Sequence, residues 1–199
     1  VLFLGLSEVE LKKLNKDTFI IANTKGKKAL PYFIPFAYRR ALKLIRKNKI
    51  THLHLSDGVL APIGERLKNK TGVKLFATVH GLDITYNNFL YQKIIPTSIN
   101  HLDRIICISE NTKQECLKRG VSEKIITIIP NGINADEFFI NKNKAELRNM
   151  LSQKLHINFE HKKILLTVGR LIKRKGVAWF VNNVMPQLDD SYLYLISGE

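Results

Sequence analysis

"DRIICISENTKQECLKRGVSEKIITIIPNG", Asp103 to Gly132, reads as a complete strand–helix–strand unit. "RIICIS" (104–109) is a short run of β-branched and apolar residues with the look of a buried strand. "NTKQECLKRG" carries helix punctuation: Asn111 as N-cap with Gln114 three residues on, and Gly120 as terminator. "KIITII" (124–129) is a second strand of the same kind, and Pro130-Asn131-Gly132 closes it with turn residues. A helix that joins two such strands predicts a parallel pair.

The same rhythm extends outward. "VLFLGL", "TFIIAN" (18–23), "THLHLS" (51–56), "KLFATV" (74–79), "KILLTV" (163–168) and "YLYLIS" (192–197) are further strand candidates. Several are continuously apolar, which predicts burial on both faces of a parallel sheet. Between them, Ala37, Tyr38, Ala41, Leu42 and Ile45 recur on one helical face. The expected class is α/β with mainly parallel sheets. From "PNGINADEF" to Lys162 the chain turns polar, with a helical pattern at 144–155, and this predicts a boundary near 135–142. The expected domains are 1–140 and 141–199, the second opened by that helix. "VLFLGL" and "YLYLISGE" are strand-like at both extremes, so the chain is expected to be a fragment, with its second domain incomplete.

Composition narrows the class. With 45% hydrophobic and 25% charged residues in 199, the chain is a globular protein. No apolar run approaches the ~18 residues that span a bilayer. "VLFLGLSEVE" has neither a basic leader nor a small-residue cleavage site, so it is not expected to be a signal peptide. Two cysteines, Cys107 and Cys116, form no disulfide framework and fit a reducing cytosol; Cys107 is expected in the core. Lys and Arg number 32 against 17 Asp and Glu, a net charge of +15. That excess favours anionic partners (phosphorylated substrates, nucleic acid or an anionic membrane face), although scattered lysines such as Lys12, Lys13, Lys47, Lys49, Lys68 and Lys70 are also ordinary surface.

In open parallel sheets, ligands collect beyond the carboxyl ends of the strands. Four such ends are polar: His80, Gly81 and Asp83; Ser109 and Glu110; Pro130, Asn131 and Gly132; Gly169, Arg170 and Lys175. Three belong to the first domain and one to the second, which predicts a ligand in a cleft between them. Each has a plainer reading: a structural histidine, a helix start at Ser109-Glu110, a turn, and a solvated basic loop. "HLH" (52–54) puts two histidines on one strand face, too few for a strong metal site, and no Asp-x-Asp cluster stands at a strand end, so no metal is expected. A nucleic-acid module would interleave aromatics with the cations of 170–175, and a nicotinamide enzyme would need G-x-G-x-x-G; neither is present.

Taken in order, "HGLD" (80–83), "ISENTKQECLKRGV" (108–121), "IIPNGINADEF" (128–138) and "LLTVGRLIKRKGV" (165–177) resemble the retaining glycosyltransferases of family 4 over roughly 50–199. That resemblance implies two facing Rossmann-like domains, the GT-B architecture: an acceptor-side domain followed by the start of a nucleotide-sugar domain. It implies a transferase that takes sugar from a nucleotide-diphosphate donor to a saccharide or lipid-linked acceptor, in cell-surface polysaccharide or glycolipid synthesis. The expected setting is cytoplasmic, peripheral to an anionic membrane face, without nucleic acid, metal or cofactor. Arg170 and Lys175 match the pair that grips the donor diphosphate, beside Gly169. His80 matches the histidine near the transferred sugar, with Gly81, Asp83 and Glu110 on the acceptor and sugar side. Asn131 and Gly132 match the loop that faces the donor. The family's glycine-rich turn after the first strand is not evident around Gly5, and its glutamate pair would follow Glu199, so the fragment alone is expected to be inactive. A non-catalytic basic module on an anionic surface is the alternative. Developing charge on a departing diphosphate is what preorganised cations and helix-start amides stabilise.

Overall fold

The structure, a computed structural model, describes residues 1–5, 18–23, 30–138 and 141–198. Lys12, Lys13 and the turn that follows Gly5 lie outside the described residues. The chain divides into two compact units, Val1–Ile133 and Asn134–Glu199.

The first unit is built on a parallel sheet. Its strands are β1 (Leu2–Gly5), β2 (Phe19–Ala22), β3 (His52–Leu55), β4 (Lys74–Val79), β5 (Arg104–Cys107) and β6 (Ile126–Ile128), in the order β2-β1-β3-β4-β5-β6. Every pair is parallel. The chain path reverses direction at β1, which is flanked by β2 and β3, so the topological switch point lies there. The connecting helices are α1 (Leu30–Asn48), α2 (Ala61–Thr71), α3 (Leu82–Thr85), α4 (Phe89–Ile99) and α5 (Glu110–Leu117). Right-handed crossovers that always step toward β6 bring α1, α2, α4 and α5 to one face of the sheet.

Alternation in the strands follows from that one-sided cover. Leu2, Leu4, Leu53, Leu55, Leu75, Ala77, Val79, Ile105 and Cys107 are buried against the helices, together with Ala37, Ala41 and Ile45 of α1. Phe3, His54, Phe76, Thr78 and Ile106 point the other way and are half-buried. Burial on both faces, expected from the apolar runs, is therefore not what the described residues show. The second face is stitched by its own contacts, with the Phe3 and His54 rings 5.2 Å apart and His54 Nε2 paired to Thr78 Oγ1 at 2.9 Å. Partial burial lowers the His54 pKa.

Two local expectations are corrected. The N-cap of α5 is Ser109, not Asn111: the Ser109 hydroxyl accepts the Thr112 N–H at 3.1 Å. Strand β5 delivers Ser109 still extended, at φ −160° and ψ 163°, which is the backbone an N-cap requires. Asn111, two residues later, is already inside the helix. Gly120 does end the segment in a left-handed conformation (φ 77°). In the run 124–129, Glu123–Ile125 forms a 3-10 turn and only Ile126–Ile128 pairs with β5. The turn closes from the Ile125 N–H to the Ser122 carbonyl, and an ion pair of Lys113 with Glu123 at 2.7 Å secures it.

Cys107 and Cys116 are both buried, with their sulfurs 3.8 Å apart across the β5–α5 contact. That shared contact, and then burial, push the Cys116 thiol up, so it stays protonated.

The second unit holds α6 (Ala135–Phe138), α7 (Lys144–Leu155), β7 (Lys163–Val168), α8 (Val177–Asn183) and β8 (Tyr192–Ser197). A reciprocal capping box starts α7: the Glu146 N–H donates to Asn143 Oδ1 at 2.9 Å, and the Asn143 N–H to Glu146 Oε2 at 3.2 Å. β7 and β8 pair in parallel from Lys163↔Tyr192 to Val168↔Ser197. Phe159 is the only fully buried hydrophobic side chain among the described residues of this unit. Arg148 donates to the carbonyls of Phe159 (2.5 Å) and Lys162 (2.6 Å), tying α7 to the start of β7.

Candidate active site

The carboxyl edge of the first sheet carries the polar cluster. β4 ends at Val79, and the next residue, His80, is exposed. Its Nε2–H donates to the Ser56 carbonyl at 3.0 Å, while the Ser56 N–H donates to the Leu4 carbonyl of β1 at 2.8 Å. The His80 ring is thus tied to the end of β3, beside the switch point. The Ser56 carbonyl can only accept, so Nε2 carries the hydrogen of this bond.

Asp83 holds this loop from within. Its Oδ1 accepts the His80 N–H at 2.8 Å and its Oδ2 accepts the Gly58 N–H at 2.9 Å. Burial raises the Asp83 pKa; the two amide bonds and the His80 charge oppose that shift, and the charge on Asp57 adds to it. Sequence placed Asp83 on the sugar side, but both of its oxygens are engaged with backbone amides. The Tyr91 hydroxyl caps the same turn by donating to the Asp83 carbonyl at 2.5 Å. Burial, then the charges of Asp83 and Asp57, push the Tyr91 pKa up to about 12. Gly81 takes φ 95°, where a side chain would be strained, and so lets the chain turn from β4 into α3.

Glu110 lies at the first turn of α5, exposed, and its Oε1 accepts from Gln114 Nε2 at 2.8 Å. Asn131 and Gly132 follow β6 and are exposed. His80, Glu110 and Asn131 therefore stand at the ends of three neighbouring strands, β4, β5 and β6. Sequence reading missed Ser56 and Gly58. Both act through the backbone, and Gly58 meets a carboxylate 25 residues away; the only signal for them is the turn dipeptide Asp57-Gly58.

In the second unit, Gly169 follows β7 and its N–H donates to the Ser197 carbonyl at 2.8 Å. A β-carbon on Gly198 would come 1.8 Å from the Gly169 carbonyl oxygen, so the ends of β7 and β8 approach as closely as glycine allows. Arg170 leaves this edge, Lys173–Lys175 form a 3-10 turn, and Gly176 (φ 71°) starts α8. Arg170, Lys173, Arg174 and Lys175 are all exposed, so exposure does not separate the pair singled out by sequence from its neighbours.

Comparison with known proteins decides the class. The sequence profile of Glycosyltransferase Family 4 matches residues 13–137, more than half of the chain and all of the first-unit cluster just described. The chain belongs to glycosyltransferase family 4. Within this family it is 25% identical over 174 residues to the phosphatidylinositol N-acetylglucosaminyltransferase GPI3 subunit of Saccharomyces cerevisiae, covering 84% of this chain and 36% of that protein. It is 28% identical over 175 residues to the UDP-Gal:alpha-D-GlcNAc-diphosphoundecaprenol alpha-1,3-galactosyltransferase of Escherichia coli, covering 79% of this chain and 43% of that one. The chain thus spans well under half of the curated relatives it matches. Anabaena HepE, crystallised with UDP and glucose, superposes with a TM-score of 0.70 at 11% identity, over 98% of this chain and 60% of that one. At that identity the likeness shows the fold, the Rossmann-like GT-B class of this family 4 chain. Among its described residues, no helix is long and apolar enough to cross a membrane.

Proposed function

We propose that this chain is part of an enzyme that transfers a sugar from a nucleotide-diphosphate donor to a saccharide or lipid-linked acceptor, with retention of anomeric configuration. The observation that carries the reading is the His80 loop, a histidine tethered at the carboxyl edge of the sheet by Ser56 and braced from below by Asp83. Support for a lipid-linked acceptor comes from the names of both curated relatives, one acting on phosphatidylinositol and the other on a diphosphoundecaprenol sugar. We read the process as cell-surface polysaccharide or glycolipid synthesis, with the enzyme in the cytoplasm at the inner face of the membrane.

The chemistry assigns each residue a task. Breaking the bond from sugar to diphosphate leaves negative charge on the departing oxygen. Arg170, with a planar fork of donors, and Lys175, a point charge, meet that charge beside the close-set backbone of Gly169. His80 faces the sugar and orients it. Asn131 and Gly132 line the donor side; Gly81 and Glu110 line the acceptor side. Asp83 acts through His80, as a positioning residue. We assign no metal to this step; among the described residues no strand end carries an Asp-x-Asp cluster.

Incubating the whole protein with a panel of UDP- and GDP-sugars and a polyprenyl-diphosphate sugar tests the reading, with the anomeric proton of the product followed by NMR. A retained configuration, and a rate reduced by roughly a hundredfold in His80→Ala, are expected. An inverted product, or full activity in the variant, would overturn it.

A further inference from the structure

Cys107 and Cys116 are the two cysteines of the chain, and both are buried as free thiols. Their sulfurs lie 3.8 Å apart, close to van der Waals contact, whereas a disulfide needs about 2.05 Å. Cys107 ends β5 on the face that meets the helices, and Cys116 stands in the last turn of α5. The turn at Ser109 folds α5 back over its own strand and so brings the two sulfurs together.

Their surroundings make the pair unequal. Contact with Cys107, and then burial, push the Cys116 thiol up, so the Cys116 S–H donates and the Cys107 sulfur accepts. The same contact draws the Cys107 thiol below its ordinary value against burial, and the Lys113 charge adds to it. Cys107 is therefore the sulfur that ionises first, with a second thiol poised beside it.

Thr112 joins this pair to the candidate site. Buried on the same helix, its Oγ1 lies 3.0 Å from the Ser109 hydroxyl, and a β-carbon on Gly81 would lie 3.6 Å from it. Gly81 directly follows His80, so α5 packs against the loop that carries the histidine. β5 is fixed within the sheet, with the Cys107 carbonyl accepting the Ile129 N–H at 3.0 Å. Any movement that closes the gap between the sulfurs falls to α5, a helix of eight residues.

We propose that Cys107 and Cys116 are a site of reversible oxidation by peroxide, closing an intramolecular disulfide that draws α5 toward β5 and resets the His80 loop. The Cys107 thiolate attacks one peroxide oxygen; the O–O bond breaks and hydroxide leaves, taking up a proton as water. Cys116 then attacks the Cys107 sulfenic sulfur, the S–S bond forms, the S–O bond breaks, and the thiol proton leaves with that oxygen as a second water. Two thiols are oxidised and one peroxide is reduced to two waters. Peroxide, little larger than water, reaches the pair when the last turn of α5 opens. In a reducing compartment such a bond is transient and redox-sensing rather than structural. This deepens the transferase reading above and rests on it only for the consequence at His80.

Peptide mapping of the whole protein tests the inference, because Lys113 lies between the cysteines and trypsin separates them. After hydrogen peroxide under native conditions and alkylation of free thiols, residues 105–113 should be found joined to residues 114–118, two hydrogens lighter than the separate peptides. Dithiothreitol should part them. In Cys116→Ala, Cys107 should instead be tagged by dimedone as a sulfenic acid. The Ile84 and Thr85 amides both donate to the Gly81 carbonyl, and oxidation should speed their hydrogen exchange at least about threefold in the wild type but not in Cys116→Ala. Circular dichroism checks the variant, and the wild-type mapping stands without it. Linkage only in urea, sulfinic acids without a link, or bonding to a cysteine of another molecule would each overturn the assignment. A link that left Ile84 and Thr85 unchanged would overturn the coupling to His80. Sugar transfer is assayed separately, so its absence in both redox states counts against the transferase reading alone.

Discussion

Asp83 and His80 grip each other through the backbone: Asp83 Oδ1 accepts the His80 N–H at 2.8 Å, and the His80 ring in turn reaches across to Ser56. The other Asp83 oxygen holds Gly58, so one carboxylate joins the loops that follow β3 and β4. Buried amides left without a partner are costly, each worth about 1–3 kcal/mol. Asp83→Ala strands the part-buried Gly58 amide and leaves the exposed His80 amide to water, and is expected to destabilise the first unit by ~1–3 kcal/mol in urea unfolding. Asp83→Asn keeps one acceptor oxygen and should cost about half as much. The pH dependence gives the sign. The folded-state pKa of Asp83 is raised above its ordinary 3.8, so the folded form holds a proton that the unfolded chain has released. Stability from this group is therefore full below the unfolded value and is lost as pH rises from there through the raised folded value. The stability gap between the wild-type chain and Asp83→Asn should shrink across that window; a gap that widened with pH would refute the burial argument.

The cap of α5 offers a cleaner contrast. Ser109→Ala removes the acceptor for the Thr112 N–H and should cost about 1 kcal/mol. Asn111→Ala, at an exposed position inside the helix, should be neutral or slightly stabilising, because alanine is the better helix former. Urea midpoints of the two variants, compared at equal m-value, decide between them.

That contrast also shows where sequence reading reaches its limit. β4, β7 and β8 are legible to the residue because apolar runs there meet turn residues at both ends. α7 is legible because the polar stretch before it ends in a helical pattern. Ser109 and Asn111 are both good caps by type, and only the extended backbone that β5 hands to Ser109 selects between them. Burial on one sheet face instead of two is equally invisible locally, since Phe76 and Ile106 look as apolar as Leu75 and Ile105. At the site, His80 and Arg170 are visible as polar residues at strand ends. Ser56 and Gly58 are not, because they contribute a carbonyl and an amide that every residue possesses.

Protection against hydrogen exchange should differ between the two sheets. β4 and β5 are backed by a continuous buried layer, whereas β7 and β8 leave Leu166 at 62% and Val168 at 71% exposure. Local stability follows buried apolar contact, so the amides of Leu165–Thr167 should exchange orders of magnitude faster than those of Ala77–Val79. Equal protection in the isolated chain would mean that the second sheet draws stability from something other than its own side-chain burial.

The loop after β7 carries the sharpest test of the donor assignment. Arg170, Lys173, Arg174 and Lys175 are all exposed, so a general positive patch and a built diphosphate grip differ only in how position matters. Arg170 comes directly after Gly169, which is pinned to Ser197 at the edge of the sheet. Lys175 directly precedes Gly176, whose left-handed turn starts α8. Lys173 and Arg174 lie between, on the 3-10 turn. If Arg170 and Lys175 meet the departing diphosphate, each loss to alanine should cost about 3 kcal/mol of transition-state stabilisation, or about a hundredfold in turnover of the whole protein. Lys173→Ala and Arg174→Ala should then change turnover by less than about twofold, in line with exposed charges screened by salt. A diffuse patch predicts the opposite pattern: four similar, salt-dependent losses, mostly in donor affinity. Turnover and KM of the four alanine variants at low and high salt, with folding checked by circular dichroism, separate the two, and four equal losses would remove Arg170 and Lys175 from the diphosphate.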